Sequence, residues 1–273
     1  MNRYTWRTGI LEAVMILVAV IYAFPLYILI NLSIRGAGDP ASPLSPTANP
    51  TFDNYVQAWE QANLGTALLN SAFVSIISVL AIVGFSAMAS YALVRVTSRM
   101  STVSYWLVMS GLLIPFQMVL IPLYQSIRDL GLLGTLWSLI IFYIGLQMPF
   151  SVFLYTGFLR SLPREYEEAA WIDGASTFRT FWQVVFPLLR PITGTVVILN
   201  GIFVWNDFLT PLLYLSGTPN QTIPVAIFSF IDQYVSDWSL VFAGLTIGVA
   251  PILLVFFILQ KTVIRGFAGG LKG

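Results

Sequence analysis

Six stretches of this chain stay apolar for longer than a soluble helix needs, and polar residues gather between them instead of alternating within them. They lie near 10–33, 67–94, 103–127, 132–159, 189–215 and 239–261. A bilayer core about 30 Å thick requires about 20 mostly apolar residues as helix. The pattern therefore predicts an all-α integral membrane bundle of six transmembrane helices, forming a single domain over 1–273. The first run follows Arg3 and Arg7, but it stays apolar to Ile30, too long for the core of a signal peptide, and reads as an uncleaved span. Glu12, in its first turns beside Arg7, reads as snorkelling to the interface.

One interval breaks the pattern. Residues 165–191, EYEEAAWIDGASTFRTFWQVVFPLLRP, form a polar island of acids and arginines between two apolar runs. Pro163 suits a first helical turn, and Glu165, Glu167 and Glu168 complement the positive end of the helix dipole. This first short helix is expected to stop at Gly174, the residue type that adopts the left-handed conformation past a helix end. Ser176 offers an N-cap for a second, with Phe178, Phe181, Trp182 and Val185 on its apolar face, ending before Pro187. The island predicts a helix-turn-helix finger projecting from the bilayer.

Composition narrows the chemistry. The chain is 57% apolar and 9% charged with a mean hydropathy of +0.82, against about 25% charged in soluble domains. It has no cysteine and no histidine, which removes disulfides, thiolate metal sites, the commonest general base and the Ser-His-Asp arrangement together. No G-x-x-x-x-G-K-[ST] occurs, so the chain lacks a phosphate-cradling loop of its own. No catalytic role, cofactor or metal is expected in it.

The positions of the charges orient the spans. With both termini in the cytoplasm, Arg3, Arg7, Arg95, Arg99, Arg160, Arg164, Arg179, Arg190, Lys261, Arg265 and Lys272 lie inside, and of thirteen basic residues only Arg35 and Arg128 lie outside. That is a strong positive-inside bias, and it puts the finger in the cytoplasm. Outside, 34–66 holds Pro40, Pro43, Pro46 and Pro50 and then TFDNYVQAWEQA, a short surface helix. The second outer loop, 216–238, carries Asp232, Tyr234, Asp237 and Trp238, compatible with a docking surface for a protein or with an aromatic belt.

Within the spans, Ser71, Ser75, Ser78, Ala81, Gly84, Ser86, Ala87 and Ser90 form a small-residue stripe that allows close helix packing. Asp207, next to Trp205 and Asn206, is the one acid well inside a span, and an intramembrane carboxylate is a functional candidate. It suits either the wall of a solute pathway or a helix-to-helix contact. Gln117, Gln147 and Asn200 offer hydrogen bonds to a polar solute or to neighbouring helices. Pro115, Pro122 and Pro149 are expected to break the backbone ladders of the third and fourth spans, which marks the third to fifth as a pathway.

The sequence Glu168-Ala169-Ala170, then Asp173-Gly174-Ala175, and Pro187 thirteen positions after Gly174 resembles the cytoplasmic EAA loop of permease subunits from binding-protein-dependent ABC importers. It departs from the family pattern at Val185 and Phe186, where Ile and Leu are more usual. The likeness extends along the chain through FDNYVQAW, LNSAFVS, PFSVFLYTGFLRSLPREYEEAA, VWNDFLTPL, IPVAIFSF and VIRGFAGGLKG. The W-N-[DE]-F motif at Trp205 to Phe208 and the glycine-rich basic tail look like the second permease subunit of carbohydrate importers, similar to the maltose permease pair.

The resemblance implies a type I importer permease fold with 160–188 as its coupling loop. It further implies a second related permease, two ATPase subunits that bind the ATP and magnesium, an extracytoplasmic solute-binding protein and a sugar substrate. Glu168 and Asp173 would make polar contacts in an ATPase cleft, Ala169 and Ala170 would allow close approach, and Gly174 would make the turn. Competing readings are a permease for a polyol or glycerol phosphate, a non-transporting scaffold, and a proton-coupled transporter using Asp207. The last lacks an inverted-repeat signal and gives the finger no purpose.

Overall fold

The computed structural model describes residues 6–36, 39, 42–231 and 237–270, with 256 and 259–270 described by their backbone alone. The expectations on Arg3, Pro40, Asp232, Tyr234 and Lys272, and on the side chains of Lys261 and Arg265, lie outside the described residues. The helices are α1 (Trp6–Ser33), α2 (Asp53–Gln61), α3 (Leu64–Arg95), α4 (Arg99–Ser110), α5 (Phe116–Asp129), α6 (Leu136–Ser161) and α7 (Glu165–Ile172). They continue as α8 (Thr177–Thr180), α9 (Phe186–Leu188), α10 (Arg190–Asn206), α11 (Leu209–Tyr214), α12 (Ile223–Phe228) and α13 (Trp238–Gly270).

Among the described residues, four helices are long and apolar enough to cross a bilayer alone: α1, α3, α6 and the Trp238–Val255 part of α13. The third expected span is broken, with Arg99–Leu113 and Phe116–Asp129 meeting at 104°. The cause is Pro115, which has no N–H and forces Ile114 before it into extended backbone at φ −85°, ψ 114°. Pro122 and Pro149 each lie inside a continuous helix, where each removes one rung of the ladder without ending it. At Pro122 the Ser126 hydroxyl donates to the proline carbonyl at 2.9 Å, and Pro149 has a packing partner, since a Cβ on Gly111 would come within 3.0 Å of its ring. The helix of the fifth span stops at Asn206, with Asp207 as an extended break before α11. Thr177–Leu188 meets Arg190–Asn206 at 77°, and where each bent pair is one span the described residues hold up to six.

Two compact units interleave along the chain, 1–65 with 223–251 and 66–222 with 252–273. In the first, the end of α1 is laced by side chains to the segment after it and to α2. Asn31 Nδ2 donates to the carbonyls of Pro43 (3.0 Å) and Ser45 (2.9 Å), and its Oδ1 accepts from the Thr47 N–H (3.0 Å). Asn54 Nδ2, on the expected surface helix, donates to the carbonyls of Ser33 (2.9 Å) and Arg35 (2.8 Å). Asn54 is buried, so Asn54→Ala leaves two carbonyls without their donor. That costs about 2 kcal/mol of local opening energy, roughly thirty-fold in the open population, and limited proteolysis of 42–50 is expected to accelerate accordingly. An unchanged cleavage rate would remove Asn54 from the clamp. Where an irregular outer loop was expected, α12 packs on α13 so closely that a Cβ on Gly248 would lie 2.7 Å from Ile223. Six residues are too few to declare a helical period.

The second unit has two cores. One joins Val79, Ile82, Val83, Ala87 and Tyr91 of α3 to Tyr155 and Leu159 of α6, Phe181, Val185 and Leu189, and Val196 of α10. The other joins Val74 of α3, Ile127 of α5, Leu139, Ile140, Phe142 and Tyr143 of α6, Val204 of α10, and Tyr214. α3 and α6 thus enter the second core first and the first core last, while α10 runs the opposite way, the alternation that membrane crossings require. Ser71, Ser78, Ser86, Ala87 and Ser90 of the small-residue stripe are buried.

Candidate functional site

The finger begins where α6 ends. α7 carries Glu165, Glu167 and Glu168 in its first turn, and Pro163 precedes its cap residue Arg164 instead of lying in that turn. It closes as the glycine signal predicts: the Ala175 N–H donates to the Ala170 carbonyl at 2.9 Å and the Gly174 N–H to Trp171 at 3.0 Å, with Gly174 at φ +80°. A Cβ at 174 would meet nothing within 4 Å, so the backbone conformation alone demands glycine there. Ser176 caps the second half, its Oγ accepting from the Arg179 N–H at 3.4 Å.

That second half does not stop before Pro187. It passes through a π-turn, Phe181–Val185, into Phe186–Leu188. The wider turn leaves room for a proline that has no N–H to return. Phe181 is buried, with its ring centroid 5.3 Å from that of Tyr91, 5.0 Å from Trp182 and 6.0 Å from Phe186. The finger is therefore rooted in the core it shares with α3, α6 and α10.

Its tip is bare. Ile172 is 87% exposed and Phe178 69%, with Tyr166 and Trp171 about half exposed beside them. Glu168, Ala169, Asp173 and Gly174 are exposed, and Ala170 and Ala175 partly so. The motif residues thus share one short turn with a cluster of uncovered aromatic and aliphatic side chains. A water-facing tip gains nothing from this unless something covers it.

Glu167 was read only as one of three acids answering the helix dipole, and it does more. It is 1% exposed, and its Oε1 accepts from Arg95 Nε at 2.7 Å while Oε2 accepts from the Tyr91 hydroxyl at 3.1 Å. Arg95 also donates to the Leu162 carbonyl at 3.1 Å. A run of acids does not say which one turns inward; the one available hint was an arginine closing an apolar span.

The intramembrane candidates separate. Asp207 is half-buried and accepts from the Tyr143 hydroxyl at 2.9 Å, and it sits at the break between α10 and α11 instead of within a helix. Asn200 is buried, and its Nδ2 donates to Ser151 Oγ of α6 at 3.1 Å and to the Val196 carbonyl at 2.8 Å. Asn206 is exposed and donates back to Ile202. Gln117 on α5 is exposed and Gln147 on α6 half-exposed.

Apolar helices long enough to cross a bilayer, with a rooted, bare-tipped finger between two of them, have the form of a membrane permease subunit. Residues 82–269 match the family described as binding-protein-dependent transport system inner membrane component, and the chain belongs to that family. It is 34% identical over 97% of its length, and of the relative's, to a melibiose/raffinose/stachyose import permease protein of Bacillus subtilis. It is 35% identical, over 93% of both chains, to a probable starch degradation products transport system permease protein of Thermoanaerobacterium thermosulfurigenes. A diacetylchitobiose uptake system permease protein of Streptomyces coelicolor is 32% identical over 96% of this chain and 88% of its own. In fold, the chain matches one from the crystal structure of a bacterial ABC transporter involved in the import of the acidic polysaccharide alginate, with a TM-score of 0.81 at 24% identity, covering 96% of this chain and 99% of that one. The protein is a multi-pass permease component of the inner membrane.

Proposed function

We propose that this chain forms half of the pathway by which an ATP-driven importer takes up a sugar or oligosaccharide. The observation that carries the proposal is the finger, bare at its tip and rooted in the core of the spans. The relatives handling melibiose, raffinose, stachyose, starch products and diacetylchitobiose supply the substrate class. A second permease packs beside this one; α1, whose apolar residues are exposed along nearly its whole length, leaves a surface for it. Two ATPase subunits bind ATP and magnesium below, and a solute-binding protein delivers sugar from outside. Both termini face the cytoplasm.

Glu168 and Asp173 make polar contacts in the ATPase cleft, Ala169, Ala170 and Ala175 permit close approach, and Gly174 holds the turn. ATP favours one state of the assembly over the other only because it binds that state better, and the finger carries the displacement to the spans. Gln117, Gln147, Asn206 and Asp207 contribute hydrogen bonds along the pathway, with Asn200 holding α10 against α6 behind them.

Uptake of labelled oligosaccharides by cells lacking or carrying the gene tests this. The expected uptake needs this chain, fails when ATP is depleted, and persists when the proton gradient alone is dissipated. Uptake that collapses with the gradient while ATP is maintained would transfer the role to Asp207 and a proton-coupled mechanism.

A further inference from the structure

The buried cluster of Glu167, Arg95 and Tyr91 has no part in docking, because it faces away from the exposed tip. Glu167 belongs to α7, Tyr91 and Arg95 lie one helical turn apart at the end of α3, and Leu162 is the residue that ends α6. Arg95 therefore touches three elements at once: its own span, the end of a second span and the first helix of the finger. Both Glu167 oxygens are engaged, one by the guanidinium and one by the phenol. Around the cluster lies apolar packing, with Tyr91 against Phe181 in the core that holds the finger's second half.

A pair of this kind resists separation. A buried carboxylate pulled from its cation leaves an uncompensated charge on both sides, which is far more costly than the modest net value of the intact pair. If the finger were to tilt on its root without dragging α3 and α6, this cluster would have to open.

Resting on the coupling role proposed above, we infer that Glu167 and Arg95 form a positioning brace that makes α7, α3 and α6 move as one body, so that motion imposed at the finger tip reaches the spans instead of being absorbed at its root. Glu167 is a positioning residue and touches neither solute nor nucleotide. The adjacent Glu168 faces out and Glu167 faces in, so two neighbouring acids divide the work of docking and of transmission.

The test uses the assembled transporter in its native membrane, with Glu167→Gln, Arg95→Gln and the double variant. In Glu167→Gln the docking surface is untouched, and the ATPase is expected to co-purify and hydrolyse ATP. Sugar taken up per ATP hydrolysed is expected to fall roughly ten-fold, within the range of ordinary coupling effects. The double variant, in which two neutral amides can bond one another, is expected to recover part of that ratio.

The chain has no cysteine, so spin labels on cysteines placed at exposed Glu165 of α7 and exposed Ala92 of α3 report the α7-to-α3 distance directly. The distribution is expected to be narrow in the wild type and to broaden in Glu167→Gln. An unchanged uptake-to-hydrolysis ratio with an unchanged distance distribution would overturn the brace. A loss of protein from the membrane with that ratio preserved would also overturn it, leaving a packing role only. If wild type itself fails to bring down an ATPase, the coupling role is what has failed, and the spin-label distances still judge whether the cluster fastens α7.

Discussion

Gly174→Asp is expected to abolish uptake while the bundle stays folded. Gly174 is exposed, holds φ +80° and has nothing within 4 Å of the position its Cβ would take, so no packing is lost. What changes is the turn. An L-residue in the left-handed region costs roughly 1–2 kcal/mol, relieved by opening the closure in which Ala175 and Gly174 bond back to Ala170 and Trp171. The new carboxylate also stands beside Asp173 at the centre of the proposed docking surface. A hot-spot position near the centre of an interface carries about 2 kcal/mol or more, and with Gly174 at such a position ATPase affinity is expected to drop about thirty-fold. Size-exclusion behaviour and helix content of the purified chain should match wild type. Gly174→Asn, which tolerates the left-handed region better and adds no charge, is expected to keep a substantial part of the activity.

Phe181→Ala is expected to do the reverse, damaging the fold first. Phe181 is 3% exposed and touches Tyr91, Trp182 and Phe186 in the core that joins the finger to α3, α6 and α10. Removing a buried phenyl ring costs about 3–5 kcal/mol in transfer and cavity terms together, which corresponds to a fall of roughly 10 °C in the thermal midpoint. Phe181→Leu keeps most of the volume and is expected to lose about a third as much or less. A thermal shift assay on detergent-solubilised protein reads both. If Phe181→Ala melts like wild type, the finger is not rooted as described.

The contrast between these two positions shows where the sequence was legible. Glycine in the left-handed region, serine at a cap and a run of apolar residues are local signals, so Gly174, Ser176 and the long spans announced themselves. Pro115 announced the break in the third span because it holds the residue before it, Ile114, in extended backbone. Pro122 and Pro149 carry the same local signal, yet each lies inside a helix that runs on, and read one residue at a time nothing separates them from Pro115. The same holds for Glu167: three acids in one turn look alike until the fold brings Arg95 and Tyr91, more than seventy residues earlier, against one of them. Asp207 was recognisable as a misplaced charge, but a carboxylate inside an apolar run does not reveal that the helix ends there. The π-turn through Phe181–Val185 left no sequence trace, since each of its residues also fits an α-helix.

The most direct measurement is affinity purification of this chain from its native membrane, wild type beside Gly174→Asp, with mass spectrometry of whatever accompanies it. The account predicts a second permease and an ABC ATPase with the wild type, and the permease without the ATPase in the variant. A chain that comes down alone, or an ATPase held equally by both, would contradict it.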